Sequence, residues 1–169
     1  MSQTTDAPVG IEPVVKEVVV PIGIDAAFRL FTRDMGRWWP LDRLAIRTGE
    51  VTGLVFEERE GGRILERWAD GEAPWGSVIT WQPPSRVVIS WSPTLRPGAV
   101  ATEVDVRFEA DGPMRTRVHL EHRGWERLGD IGVDARSEYQ NGWPGVLGGF
   151  VSAAAGLVDP VAASVAADR

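Results

Sequence analysis

The chain contains no cysteine, only two histidines and a single tyrosine. The missing thiol removes disulfides, thiolate nucleophiles, iron–sulfur clusters and cysteine-type zinc sites together. With so little histidine, any metal site would lean on carboxylates, and no metal site is expected. Positive charge is also scarce: 18 Lys and Arg stand against 24 Asp and Glu, a formal net charge of −6. Neutralising phosphates needs the opposite balance, so nucleic acid and anionic membranes are not expected partners. No apolar run approaches the roughly 18 residues of a membrane span. Residues 1–14 have neither a basic start nor an apolar stretch. They do not read as a signal peptide, and the expected location is the cytoplasm. There is no G-x-S-x-G elbow, phosphate-cradling glycine loop or dinucleotide fingerprint, so no cofactor is expected.

Tryptophan is what the chain has in excess, with eight residues. Each indole carries a large apolar surface and one N–H donor. Such a set fills a core, lines a cavity, or does both. The 169 residues, 43% of them hydrophobic, amount to one domain with a single core.

Residues 1–12 are polar, contain Pro8 and Gly10, and are expected to form a loose arm. A single domain is expected over 13–156, followed by an Ala-rich tail, 157–169, that Pro160 interrupts. The β-branched run 14–20 reads as a strand that Pro21 ends. Ile24, Ala27, Phe28 and Phe31 then share one helical face, and residues 32–40 follow as a turn or short second helix. Strands are expected at 51–58, 63–68, 76–81, 86–91, 100–109 and 114–122, punctuated by Gly61-Gly62, Asp70-Gly71, Pro83-Pro84 and Asp111-Gly112. In the last hairpin apolar and charged residues alternate, which marks a sheet covered on one side. Trp143, Val146, Leu147, Phe150, Val151 and Ala154 predict a long amphipathic helix. Pro144 places its start near Trp143, with Asn141 as a cap. Strands flanked by helices give an α+β fold. A curved antiparallel sheet of six to seven strands would wrap the C-terminal helix and leave a gap suited to a ligand.

Specific residues carry a family likeness. They are Val18-Val19-Val20-Pro21 with Ala27 to Thr32, Met35-Gly36-Arg37-Trp38-Trp39-Pro40, Gly61-Gly62-Arg63, Trp75-Gly76, Trp81-Gln82-Pro83-Pro84 with Val87 to Trp91, Thr102-Glu103-Val104, and Gly142-Trp143. Over roughly residues 13–155 the sequence resembles the SRPBCC superfamily, which includes the START and birch-pollen-allergen-like domains. Within it, the chain is similar to the branch named for the activator of the ninety-kilodalton heat-shock protein ATPase. The resemblance implies a helix-grip fold. It also implies one of the roles that scaffold hosts: ligand carrier, cyclase or chaperone cofactor.

The candidate ligand-lining set is Trp38, Trp39, Phe56, Trp68, Trp91, His122, Trp143, Leu147 and Phe150. His119 and His122 lie three apart on a strand and point to opposite faces, so they cannot share an ion. His122 falls on the covered face with Val118 and Leu120. There it serves either as a hydrogen-bonded structural group or as one that orients a ligand or moves a proton. Glu66 alternates with Ile64 and Trp68. It points inward as the acid/base partner of His122, or sits at the cavity mouth, or is turned outward by a bulge. Gly148-Gly149 weakens the helix, for close packing or for flexing. The leading expectation is a non-catalytic module for a small, mostly apolar molecule. The alternatives are a chaperone-associated interaction module, with an exposed patch at Trp125 or in the 93–100 loop, and a cyclase, dehydratase or hydrolase using His122 and Glu66. The expected assembly is a monomer or a homodimer.

Overall fold

In the computed structural model, which describes residues 10–96 and 98–158, seven antiparallel strands form one sheet around a long helix. The strands are β1 (Val14–Val20), β2 (Val51–Phe56), β3 (Arg63–Trp68), β4 (Gly71–Gln82), β5 (Arg86–Trp91), β6 (Thr102–Ala110) and β7 (Thr116–Arg123). Their order is β1-β7-β6-β5-β4-β3-β2. Helix α1 (Ile24–Phe31) follows β1, and α2 (Gly132–Gly156) is the last element. The fold is the helix-grip arrangement. Residues 1–9 of the expected arm and 159–169 of the expected tail lie outside the described residues. Ile11 packs on the core, and the Glu12 carbonyl accepts a bond from Arg136 Nε at 2.6 Å. Among the described residues no helix is long and apolar enough to cross a membrane.

Alternation explains the two faces of the sheet. Val104, Val106, Phe108, Val118, Leu120 and His122 point inward and are buried. The outward charged rows pair across strands. Asp105 is buried beneath Arg86 and Arg123, at 2.8 and 3.0 Å, so the exposed side is held by ion pairs. Helix α1 closes one end of the barrel-like curve, where Phe28 meets Trp81 and Phe108 edge to face.

The ladder is irregular between β2 and β3, at Val51/Gly53, and at two places in β4, where bulges bend the sheet. Ile64 pairs with Gly76 and Leu65 with Pro74, which leaves Trp75 as the extra residue. Pro74 is tolerated there because a bulge already interrupts the ladder. The second shift, between Val78 and Thr80, leaves Ile79 unpaired and exposed. Gly76 is required by the bend, since a Cβ at this position would collide with the Ser90 carbonyl. The strand therefore starts at Gly71 rather than 76, and its first half pairs with β3 while its second half pairs with β5.

Helix α2 also differs from expectation. It starts at Gly132, eleven residues before Trp143, and runs through Pro144, so Asn141 is an interior residue and not a cap. A proline in a helix interior costs roughly 3 kcal/mol. Trp143, Val146, Leu147, Phe150 and Ala154, all buried along one face, offset that cost. The earlier turns continue the same face with Ala135 and Tyr139, too sparse and too polar to show a period. The Gly148-Gly149 pair has two different reasons. A Cβ on Gly149 would lie 2.7 Å from the Trp38 carbonyl, whereas one on Gly148 would meet nothing.

Candidate functional site

Trp39, Trp75, Trp91 and Trp143 converge where α2 crosses the bent part of the sheet. Their ring centroids lie 5.2 Å (Trp39–Trp75), 5.4 Å (Trp39–Trp91), 5.6 Å (Trp75–Trp91) and 5.8 Å (Trp39–Trp143) apart. A cavity of about 300 Å³ opens beside them, closed on its flanks by Tyr139 and Val146 of α2 and by Leu44 and Ala45 of the loop after Trp39. Its mouth carries the exposed Arg43 and Glu138. A second hollow, of about 530 Å³, lies beyond Trp91 and Tyr139, against Val100, Trp125 and Leu128.

Each of the four indole N–H groups is bonded to protein. Trp39 Nε1 donates to the Leu44 carbonyl at 2.8 Å, and Trp75 Nε1 donates to Glu66 Oε1 at 2.9 Å. Trp91 Nε1 donates to the Tyr139 hydroxyl oxygen at 3.0 Å, and Trp143 Nε1 donates to His122 Nδ1 at 3.1 Å. An indole has no other polar atom. The rings therefore offer carbon to the cavity.

Glu66 does point inward and is fully buried, and four donors use both its oxygens. Oε1 accepts from Ile46 N (2.7 Å) and Trp75 Nε1; Oε2 accepts from Arg47 N (3.0 Å) and Trp68 Nε1 (2.6 Å). Burial alone would raise its pKa. The bonds from the Arg47 and Ile46 backbone and from both indoles outweigh it and hold the carboxyl below its ordinary value. The ion is thus a tether: it fixes the loop that supplies Leu44 and Ala45, and it orients Trp75.

His122 is equally occupied. Because Trp143 donates to Nδ1, the proton must sit on Nε2, which donates to Thr102 Oγ1 at 2.7 Å. The Thr102 hydroxyl in turn donates a hydrogen bond to the Trp91 carbonyl at 3.3 Å. Trp125, 4.1 Å away between ring centroids, and Tyr139, at 4.7 Å, cover the imidazole. Desolvation pushes its pKa down to about 3, so the ring is neutral with its lone pair already used. His119 lies on the outer face, 3.7 Å from Glu17.

The acid/base pair expected from sequence is not assembled. Glu66 on β3 and His122 on β7 are separated by three strands and share no partner. Trp125 forms no exposed patch either: it is fully buried, with Nε1 donating to the His122 carbonyl at 2.9 Å. In the 93–100 loop, Leu95 and Val100 are exposed.

Of the sequence-derived set, Trp39, Trp91 and Trp143 line the cavity. Trp38 instead donates to the Leu30 carbonyl at 2.7 Å and packs between Phe31 and Phe150 in the core. Phe56 lies against Trp81, and Trp68 lies under the Arg47 guanidinium, 4.0 Å from it. Leu147 and Phe150 are core residues, and His122 sits behind Trp143 and Tyr139. Trp75 and Tyr139 were missed. A bulge turns the first inward against the alternation of its strand, and the second belongs to the helical turns that carried no readable period.

The family described as "Activator of Hsp90 ATPase homolog 1-like protein" matches residues 23–155. No curated protein matches. Among solved structures, the anthrahydroquino-γ-pyrone synthase Txn09 is 32% identical, covering 86% of this chain and 99% of its own, with a TM-score of 0.60. The self-sacrificing resistance protein CalC from Micromonospora echinospora is 28% identical, covering 85% and 94%, with a TM-score of 0.64. The Aha1 dimer from Colwellia psychrerythraea, 17% identical over 85% and 96% with a TM-score of 0.57, shares the fold. With the seven-stranded sheet, the gripped helix and a family match across most of its length, the chain belongs to the family of activator of Hsp90 ATPase homolog 1-like proteins.

Proposed function

We propose that the protein binds a small, flat, largely apolar molecule in the cavity walled by Trp39, Trp75, Trp91, Trp143 and Tyr139. The observation that carries this reading is the polarity of the wall. Four indoles meet there with every N–H satisfied by protein, so the surface offered to a ligand is aromatic carbon. A volume of about 300 Å³ lies at the small end of ligand pockets, roughly 300–1,000 Å³. That suits a compact fused-ring aromatic. The likeness to a synthase named for an anthrahydroquino-γ-pyrone supports the same class of molecule. Glu66 and His122 serve as supports of the wall, since both are spent on internal hydrogen bonds.

Titration with anthracene-2-sulfonate, followed by quenching of tryptophan emission, tests the reading. Saturable quenching with a dissociation constant in the micromolar range is expected, weakened at least tenfold in Trp91→Ala through loss of a wall ring. Linear, unsaturable quenching that Trp91→Ala leaves unchanged would overturn it.

A further inference from the structure

The aromatic wall contains one polar atom whose hydrogen-bonding capacity is not exhausted. Tyr139 is the only tyrosine of the chain, and its side chain borders both hollows. Its ring is fixed by His122, Trp125 and Trp143, at centroid separations of 4.7, 5.3 and 6.3 Å. A phenol oxygen both accepts and donates, whereas an indole N–H only donates. In the 3.0 Å contact with Trp91 Nε1 the tyrosine oxygen is therefore the acceptor. Its own proton has no acceptor among the described residues. Receiving a bond from Trp91 polarises the O–H and makes it a better donor.

We propose that the Tyr139 hydroxyl, set by Trp91, donates to a carbonyl oxygen of the bound molecule, and so selects aromatic ligands that carry a ketone, quinone or pyrone oxygen over plain hydrocarbons. This rests on the binding reading above and adds to it the functional group being recognised. The neighbouring indoles cannot do this work, because their N–H groups are committed to Leu44, Glu66 and His122. Arg43, the other donor at this cavity, stands exposed at the mouth, where water competes for it. Burial raises the Tyr139 pKa, which keeps the phenol protonated over the physiological range. A hydrophobic pocket discriminates weakly between ligands of equal shape, whereas a buried polar group left without its partner discriminates strongly. Tyr139 thus acts as a specificity residue.

The experiment compares two probes of similar shape, anthracene-2-sulfonate and 9,10-anthraquinone-2-sulfonate, by isothermal titration on the full chain and on Tyr139→Phe. The sulfonate is common to both, so its contact with Arg43 cancels. Tyr139→Phe is expected to weaken the quinone probe about tenfold and to leave the anthracene probe within about twofold. The infrared carbonyl band of the quinone bound to unaltered protein is expected at lower frequency than in a non-donating solvent, a readout independent of the variant's folding. An equal loss for both probes would make Tyr139 a structural support and overturn the proposal. So would an unshifted carbonyl band. Either result leaves the binding reading intact. Failure of both probes to bind the unaltered protein would instead remove that reading and this proposal together.

Discussion

His122 provides the sharpest test of the site's electrostatics, through the pH dependence of folding. In the native state the imidazole is neutral, with a pKa lowered by burial from 6.5 to about 3. Below pH 6.5 the unfolded chain takes up a proton there that the folded chain refuses. A depressed histidine pKa therefore makes stability fall as pH drops through the unfolded value, and the loss continues until the folded value near 3 is reached. Each pH unit inside that window costs about 1.4 kcal/mol. Between pH 7 and pH 5 the integrated loss from this one residue is about 2 kcal/mol. That is a measurable fraction of the roughly 5–15 kcal/mol that holds a domain together.

Urea unfolding at pH 7, 6 and 5 measures the effect, with His122→Gln as the reference. Glutamine offers a donor and an acceptor but no titrating proton. The variant is expected to be less stable at pH 7 and to lose about 2 kcal/mol less than the unaltered protein on going to pH 5. Carboxylates with lowered pKa values, Glu66 and Asp105 among them, titrate below this interval and leave it clean. Parallel pH profiles for the two proteins would refute the argument. So would a nitrogen chemical-shift signature of imidazolium in the folded state at pH 5, because the Trp143 bond to Nδ1 requires that atom to be bare.

Two further predictions concern stability. Glu66→Gln turns one oxygen into an NH₂ that must face two donors, so it is expected to cost about 2–4 kcal/mol in urea unfolding. Its acid limb should also be shallower, since the carboxylate's contribution is full above the ordinary 4.5 and is lost as pH falls through the lower folded value. The adjacent glycines should respond in opposite directions in a thermal scan. Gly148→Ala is expected to gain about 1 kcal/mol from helix propensity, while Gly149→Ala is expected to lose stability against the Trp38 carbonyl. Equal shifts for the two would contradict the close approach of α2 at Gly149.

The sheet was legible because its inner face alternates cleanly where β6 and β7 run without irregularity. Val104 to Phe108 and Val118 to His122 put every second residue inward, as the period of two requires. Legibility ended where the period broke. The bulge at Trp75 reverses which residues of β4 face the helix, and its one mark in the sequence is the Pro74 and Gly76 that flank Trp75, which signal an interruption but not the side to which the indole turns. Pro144 gave a misleading signal in the other direction. Proline is favoured in a first turn, yet here the packing of Trp143 and Phe150 carries the helix through it. Adjacent Trp38 and Trp39 show a third limit. A short 3-10 turn at Met35–Arg37 sends one indole into the Phe31–Phe150 core and the next to the cavity, and spacing alone does not separate them.

The inward orientation of Glu66 and His122 was readable, but their roles were not, because a role depends on partners brought from distant sequence. Glu66 meets the backbone of Ile46 and Arg47, twenty and nineteen positions away, and His122 meets Thr102 and Trp143. These contacts change what the two groups can do. A carboxylate with four donors cannot accept a fifth without losing one, and an imidazole bonded at both nitrogens has no site left for a proton. The ionisable residues that a sequence reading marks as chemistry are here the frame that holds the indoles at tilted and edge-to-face angles. The same bonds that silence them leave Tyr139 as the donor on the aromatic wall. Discrimination between ligands should therefore follow the ligand's acceptor oxygen rather than its charge, and the matched probe pair measures that directly.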